Sequence, residues 1–452
     1  MDAGGLRRLA SFSPAFPWFT GRFIWCIVII AALVALSTFA HIALTVALFA
    51  VALLAVASAV DIALGPRRND FAVSREQVEH LALRSPGHLR YSLVNAGRAP
   101  LRYAIVDSPV ALLDLPEAPL EGEIGAQRRK SVALPVMPLI RGSASLGTLY
   151  VAAENPIGLI SRRWKVRSPL EARVYPDLSA VERYGELAKR GRLIEAGFRR
   201  LRRRGRGGEF DSLREWTPDD EFRSINWKAT ARRAKLMVEQ YDIERSQTVM
   251  LLLDAGRLMT PRLHGQRKFD FAVTAALSVA YIASLAADKV GLMAFAGGIL
   301  EHIPPRSGAR HASGMTQRIY DLQPRFEEAD YASAFAYLRR RQPKRSLIIF
   351  FTDMFDPVAC AASLANLSQL VPRHLVVCVM MNDEVVGAAL ETDPHDLKEA
   401  YQAGVAADLL SERRKAAAIL RQRQISVIDV PAQQLTVSLI NAYIEIKAQA
   451  LL

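Results

Sequence analysis

The 452-residue chain is 51% hydrophobic and 23% charged, which excludes intrinsic disorder, because a chain this apolar can offset its ordering entropy by burial. Three cysteines are too few, and odd in number, to staple a disulfide scaffold. The excess of 58 Lys+Arg over 45 Asp+Glu, a net charge of +13, suits either nucleic acid or an anionic membrane face, and the length allows two or three domains.

From Phe23 to Val60 there is no Asp, Glu, Lys or Arg. As one helix these residues would reach about 57 Å, well beyond a hydrocarbon core of roughly 30 Å. Two spans folded back on each other, over residues 22–38 and 42–60 of an N-terminal segment 1–65, fit better. The turn is expected near Ser37, Thr38 and His41, the one polar cluster. A signal peptide is the competing reading, but its apolar region is normally about 7–15 residues long. Arg7, Arg8 and Arg22 precede the hairpin and Arg67 and Arg68 follow it, so both ends should face the cytoplasm, placing the protein in the inner membrane. Residues 61–452 keep 55 bases and 44 acids. An anionic lipid surface accounts for that excess without nucleic acid.

Residues 66–176 change to short alternating segments, among them Leu89–Val94, Leu101–Val106, Leu146–Val151 and Leu170–Tyr175, with turn signals such as Asn95-Ala-Gly97 and Asn155-Pro-Ile-Gly158 between them. Period-2 alternation at this spacing predicts an antiparallel sandwich-like module. No cluster of catalytic residue types falls within it.

Residues 177–246 begin with a predicted helix that becomes intensely basic at Arg199, Arg200, Arg202, Arg203, Arg204 and Arg206. Lipid head groups or solvent are its expected surroundings. Nucleic acid is disfavoured, because no aromatic residues interleave with the arginines as a single-strand groove requires. Next comes Gly207-Gly-Glu-Phe-Asp-Ser-Leu-Arg-Glu-Trp-Thr-Pro-Asp-Asp-Glu-Phe-Arg-Ser-Ile-Asn-Trp-Lys-Ala-Thr-Ala-Arg-Arg. Within it Arg214, Asp220, Arg223, Asn226, Trp227 and Arg232 mix planar cations, carboxylates, an amide and an indole. Such a set can close a hydrogen-bonded, cation–π lattice that pins an irregular loop, or bind an acidic ligand through its arginines.

This segment, together with Leu251-Leu-Leu-Asp-Ala-Gly-Arg-Leu-Met259, closely resembles the signature of domain-of-unknown-function family 58, bacterial proteins that join a membrane hairpin to a von Willebrand A-like domain. The resemblance covers nearly the whole chain and implies partnership with a MoxR-type AAA+ ATPase in assembling or maturing client proteins. Many members carry Asp where this chain has Asn226.

Residues 247–452 alternate strand and helix. Strands are predicted at Val249–Leu253, Val290–Phe295, Ser346–Phe351, His374–Met380 and Ile425–Asp429, with amphipathic helices between them. Continuous apolar strands with helical crossovers predict a doubly wound, Rossmann-like parallel sheet whose ligands gather at the strand carboxyl ends. Asp254 and Asp353 stand at two such ends. In von Willebrand A domains the corresponding places hold Mg²⁺ through Asp-x-Ser-x-Ser, a Thr and a later Asp. Here Gly256 and Leu258 replace both serines, and Ser307, Ser313 and Thr316 are candidates for the Thr. The resemblance thus implies a degenerate metal-ion-dependent adhesion site with Asp254 and Asp353 as residual ligands; the competing expectation is that both acids accept backbone N–H bonds at strand–helix turns. Arg257 is expected to pair with one of these acids in place of the metal's charge.

No phosphate loop, His-Glu-x-x-His or nucleophile elbow occurs, and Cys360 and Cys378 read as packing thiols. A non-enzymatic membrane adaptor is therefore expected, docking protein partners around Asp254, Gly256, Arg257, Met259, Asp353 and Asp356. The alternatives are a metal-dependent hydrolase using Asp254 and Asp353, and nucleic-acid binding through Arg199–Arg206.

Overall fold

A computed structural model describes residues 18–36, 41–76, 80–179, 209–218, 222, 225–242, 247–353, 366–391 and 395–449. The expected turn at 37–40, the basic helix beyond residue 179, Asp220, Arg223, Asp356 and Cys360 lie outside these residues. The chain divides into two compact units, Met1–Tyr175 and Pro176–Leu452.

The first unit contains an apolar helix pair and a β-rich region. After a short strand β1 (Trp18–Phe19), helix α1 runs Gly21–Leu36 and α2 runs His41–Leu64. Residues 42–64 are long and apolar enough to cross a bilayer, and α1 is a shorter apolar helix. Ile24, Trp25, Leu48 and Phe49 are exposed, an arrangement suited to lipid. The second helix runs past the predicted end at residue 60 and takes in Asp61. It can do so because that carboxylate is satisfied locally by backbone N–H donors. Its Oδ1 accepts the Ile157 N–H at 2.8 Å, and its Oδ2 accepts those of Leu159 and Ile160 at 3.0 and 2.9 Å. Asn155 Nδ2 donates to the Asp61 carbonyl, and Arg162 donates to the carbonyls of Ile62 and Pro66. The start of α1 meets the same loop, for the Thr20 hydroxyl donates to the Gly158 carbonyl at 2.6 Å, and β1 pairs with Ile160 and Ser161.

The β-rich region has β2 (Phe71–Arg75), β3 (Leu81–Ala82), β4 (Gly87–Asn95), β5 (Leu101–Asp107), β6 (Leu113–Asp114), β7 (Leu120–Ile124), β8 (Arg128–Pro138), β9 (Gly142–Glu154) and β10 (Ile160–Tyr175). They form a sheet β1-β10-β9-β5-β7, with β3 on β10, and a sheet β2-β4-β8-β6. Pairing is antiparallel except between β10 and β3. Alternate residues of both sheets fill one core, including Phe71, Tyr91, Leu93, Tyr103, Leu149 and Val174, as period-2 side-chain direction requires. A polar cluster crosses that core. Arg75 on β2 grips Asp107 on β5, which also accepts the Tyr91 hydroxyl at 2.8 Å. Burial, reinforced by Asp107, pushes the Tyr91 phenol well above its usual value.

In the second unit, β11 (Glu209–Glu215) pairs with β12 (Met237–Asp242), and helix α3 (Trp227–Arg233) lies between them in sequence. Then follow β13 (Thr248–Asp254), a small hairpin β14 (Arg262–Leu263) and β15 (Gln266–Arg267), α4 (Lys268–Leu285), β16 (Lys289–Phe295), β17 (Ile299–Arg306), α5 (Ala309–Ile319), α6 (Tyr331–Arg341), β18 (Leu347–Phe351), β19 (Leu375–Asn382), α7 (Glu384–Glu391), α8 (Leu397–Gln422), β20 (Ser426–Pro431) and α9 (Leu435–Ala448). The sheet order is β17-β16-β13-β18-β19-β20.

This corrects the expectation of five parallel strands. The sheet has six, and β17 runs antiparallel to β16 at the edge. Its Ile-Leu-Glu-His-Ile-Pro-Pro-Arg sequence hides a strand, because two prolines are tolerated only where one side of the ladder needs no donor. Odd residues of β13 (Val249, Leu251, Leu253) face a core with α4 and α9, and even residues (Met250, Leu252) face one with α6 and α8. Helices therefore cover both faces. Helix α4 is long and apolar enough to span a bilayer, but it is buried in this core.

Candidate functional site

Strand β13 ends at Asp254 after an unbroken buried run, and its carboxylate turns back into the protein. Oδ1 accepts the Gly256 N–H at 2.8 Å, and Oδ2 accepts the hydroxyls of Tyr331 at 2.7 Å and Thr352 at 2.8 Å. Gly256 keeps the turn close, since a Cβ there would stand a tight 3.1 Å from Asp254 Oδ1, Ala329 Cβ and the Glu327 carbonyl oxygen. The segment before α6 closes over this turn, for Arg257 N–H donates to the Glu327 carbonyl and Arg325 N–H to that of Ala255. Burial raises the Asp254 pKa against the lowering effect of these hydrogen bonds, and the nearby Asp353 adds to the rise.

Asp353, just past β18, is fully buried. Its Oδ2 accepts the Lys268 ammonium at the start of α4, and its Oδ1 accepts Arg413 Nη1 from α8 at 2.6 Å. The same guanidinium reaches Asp429 on β20 through Nε and through Nη2 at 2.9 Å. Burial alone would lower the Arg413 pKa, but Asp353 and Asp429 together raise it above its ordinary value. Four elements (the end of β18, α4, α8 and β20) are thereby bound through one chain of opposite charges.

The expected cation substitute is corrected as well. Arg257 points outward, and its guanidinium lies 3.8 Å from the exposed Glu328. Lys268 and Arg413 instead supply the positive charge at Asp353. The hydroxyls that reach Asp254 are those of Thr352 and Tyr331 rather than of Ser307, Ser313 or Thr316. Thr316 turns to its own helix, toward the Ala312 carbonyl. This donor set does not fit a divalent ion, which requires several unengaged hard oxygens. The Asp254 oxygens already accept three hydrogen bonds, and Asp353 is held by two fixed cations. No cluster of three or more His, Cys, Asp or Glu with metal-holding geometry occurs among the described residues.

Of the docking residues expected around the strand ends, Asp254 and Asp353 come together, Gly256 forms the tight turn, Met259 is buried and Arg257 is exposed. Among the signature residues, Asn226 caps α3, its Oδ1 accepting the Ala229 N–H at 2.9 Å. An amide serves this role as well as a carboxylate. Trp227 and Phe222, both exposed, meet edge to face with centroids 5.9 Å apart, Arg232 is exposed, and the backbone of Arg214 pairs with that of Val238. Cys378 is buried, and burial pushes its thiol up to about 12, which makes it inert. His374 immediately precedes β19 rather than opening it; it is buried, neither ring nitrogen has a hydrogen-bond partner among the described residues, and burial lowers its pKa.

No sequence motif marks Lys268, Tyr331 or Asp429. For Arg413 a signal exists. It occupies the same helical face as Ala406, Ala416, Ala417 and Leu420, all buried, and a charge on a buried face needs a buried partner.

Residues 212–399 match the family described as "Protein of unknown function DUF58". The uncharacterized protein Rv1480 of Mycobacterium tuberculosis is 25% identical over 181 residues, 40% of this chain and 56% of that protein. The chain thus spans about half the length of the mycobacterial relatives it matches. The uncharacterized protein YeaD of Bacillus subtilis is 40% identical over 43 residues, 10% of this chain and 11% of its own. Among solved structures, a PapD-like domain of human CEP192 matches 24% of this chain and 87% of its own at 10% identity, with a TM-score of 0.19, too low to establish a shared fold.

Proposed function

We propose that this chain is a non-enzymatic adaptor anchored in the bacterial inner membrane by its apolar helix pair, with a von Willebrand A-like head that grips other proteins at the carboxyl edge of its sheet. The observation that carries this reading is the internal saturation of Asp254 and Asp353. A catalytic carboxylate must present a lone pair or a proton to a substrate, whereas here the two acids at the strand ends hold a tyrosine, a threonine, a lysine and an arginine in place. The site then works as a rigid support for its surrounding loops. The basic flanks Arg22, Arg67 and Arg68 support a cytoplasmic orientation, and the family resemblance supplies the partner class, a MoxR-type AAA+ ATPase acting on client proteins.

The test is crosslinking in native membranes followed by purification of the full-length chain. The adaptor reading expects an AAA+ ATPase and clients to be recovered with it. Substrate turnover by the purified protein that is lost in Asp254→Asn or Asp353→Asn would overturn the reading.

A further inference from the structure

The amino-terminal half of α8 carries an apolar stripe that no other described residue covers. Leu397, Tyr401, Val405 and Leu409 recur every four residues, so they fall on one side of the helix. Leu397 is 88% exposed and Tyr401 74%, and Val405 and Leu409 are also exposed. Helix α7 packs alongside and adds Val385, 70% exposed. A cluster of exposed apolar side chains of this kind marks an interaction site on a soluble surface.

Its charge is opposite to that of the rest of the molecule. The chain as a whole carries +13, yet residues 383–412 hold eight acids against one base, Lys398. Asp408 falls within the arc of the stripe by helical spacing, as does Glu412, which pairs with Lys415 at 2.6 Å, while Asp383, Glu384 and Asp396 stand at the starts of α7 and α8. Helix α7 begins where β19 ends, so the surface adjoins the carboxyl edge of the sheet. His264 of the β14–β15 turn lies 3.7 Å from Glu384 there.

We infer that the α7–α8 surface is a docking groove for a basic amphipathic helix of a partner protein, whose leucine-type residues cover Leu397, Tyr401 and Val405 while its lysines or arginines meet the surrounding carboxylates. This inference rests on the adaptor reading above and names the chemistry of its partner. Helix-on-helix docking with anchors at this spacing is a common recognition mode, and acidic rims steer basic partners and make their association salt-dependent. Because the stripe is exposed, polar replacements there leave the fold intact.

The experiment uses the full-length protein in zwitterionic-lipid nanodiscs and a fluorescent 18-residue helical peptide of leucines and lysines in amphipathic order. The controls are an otherwise identical leucine–glutamate peptide and empty nanodiscs. Anisotropy should report saturable binding of the basic peptide only. The L397S/Y401S double variant should weaken it about tenfold or more, as expected for central apolar anchors. Raising salt from 50 to 500 mM should weaken it further. Binding that is equal for both peptides, unchanged in the double variant, or absent from the wild type would overturn the assignment. A concentration-dependent dimer of the wild type that the same substitutions abolish would also overturn it, in favour of a second copy as the occupant. These outcomes are separable from failure of the adaptor reading, which is decided by crosslinked partners and by turnover.

Discussion

Two buried acids, one in each unit, are satisfied by opposite means. Asp61, at the end of an apolar helix, is held by the loop amides of Ile157, Leu159 and Ile160 and by no cation among the described residues. Asp353, at the end of a strand in the parallel sheet, is held by a lysine and an arginine from distant helices. Backbone amides satisfy a carboxylate without burying a second charge, so Asp61 works as a local clasp between the apolar helices and the loop before β10. A cation pair involves larger opposing terms, desolvation against Coulomb attraction. It ties together elements as far apart in sequence as 268, 353, 413 and 429. The first device fixes a junction, and the second fixes the edge of a sheet.

The comparison is broken most severely by Arg413→Ala, which leaves Asp353 and Asp429 with a lost partner in the interior. A destabilisation of about 3–5 kcal/mol is expected for the unit, read as a lowered unfolding midpoint of the full-length protein. Arg413→Met together with Asp429→Leu, which leaves Asp353 paired with Lys268, should recover much of it. Next in size, Asp61→Ala orphans three amides, at about 1–3 kcal/mol for each group that water does not reach. Its effect should be confined to the first unit. Hydrogen exchange at Ile157, Leu159 and Ile160 should accelerate while the amides of β13 and β18 keep their protection.

Tyr331→Phe removes one donor to Asp254 and should cost about 1–2 kcal/mol. It should also raise the Asp254 carboxyl further, because that hydrogen bond lowers it. The smallest effect is on pH dependence. Since burial raises Asp254 above its unfolded value, its contribution to stability is complete at low pH. That contribution is lost as pH rises from about 4, the unfolded value, through the folded one. Asp254→Asn should remove this loss, so the stability of wild type relative to the variant should fall with rising pH. A flat difference would place the carboxyl at its ordinary value.

Much of this architecture is legible in the sequence, and the omissions have physical causes. The central strands announce themselves because parallel strands buried on both faces read as continuous apolar runs, as in Thr248–Asp254. Strand β17 does not, because an edge strand escapes the rule that keeps proline out of sheets. Asp254 and Asp353 are visible at the strand ends. Their partners are not, because Lys268, Tyr331 and Arg413 are brought there only by how the helices fold back on the sheet. Arg257, three residues from Asp254, was the expected partner by proximity in sequence, but its turn faces outward and distant residues fill the place. The Asp61 clasp was equally hidden. A lone acid closing an apolar segment reads as the end of a membrane span, and its three amide partners lie nearly a hundred residues later.

Calorimetric titration of Mg²⁺ or Mn²⁺ into the full-length protein tests the central claim most directly. With Lys268 and Arg413 holding Asp353, and hydroxyls and an amide holding Asp254, only the heat of dilution is expected up to millimolar ion. Saturable binding at millimolar affinity or tighter, abolished by Asp254→Ala, would contradict the account.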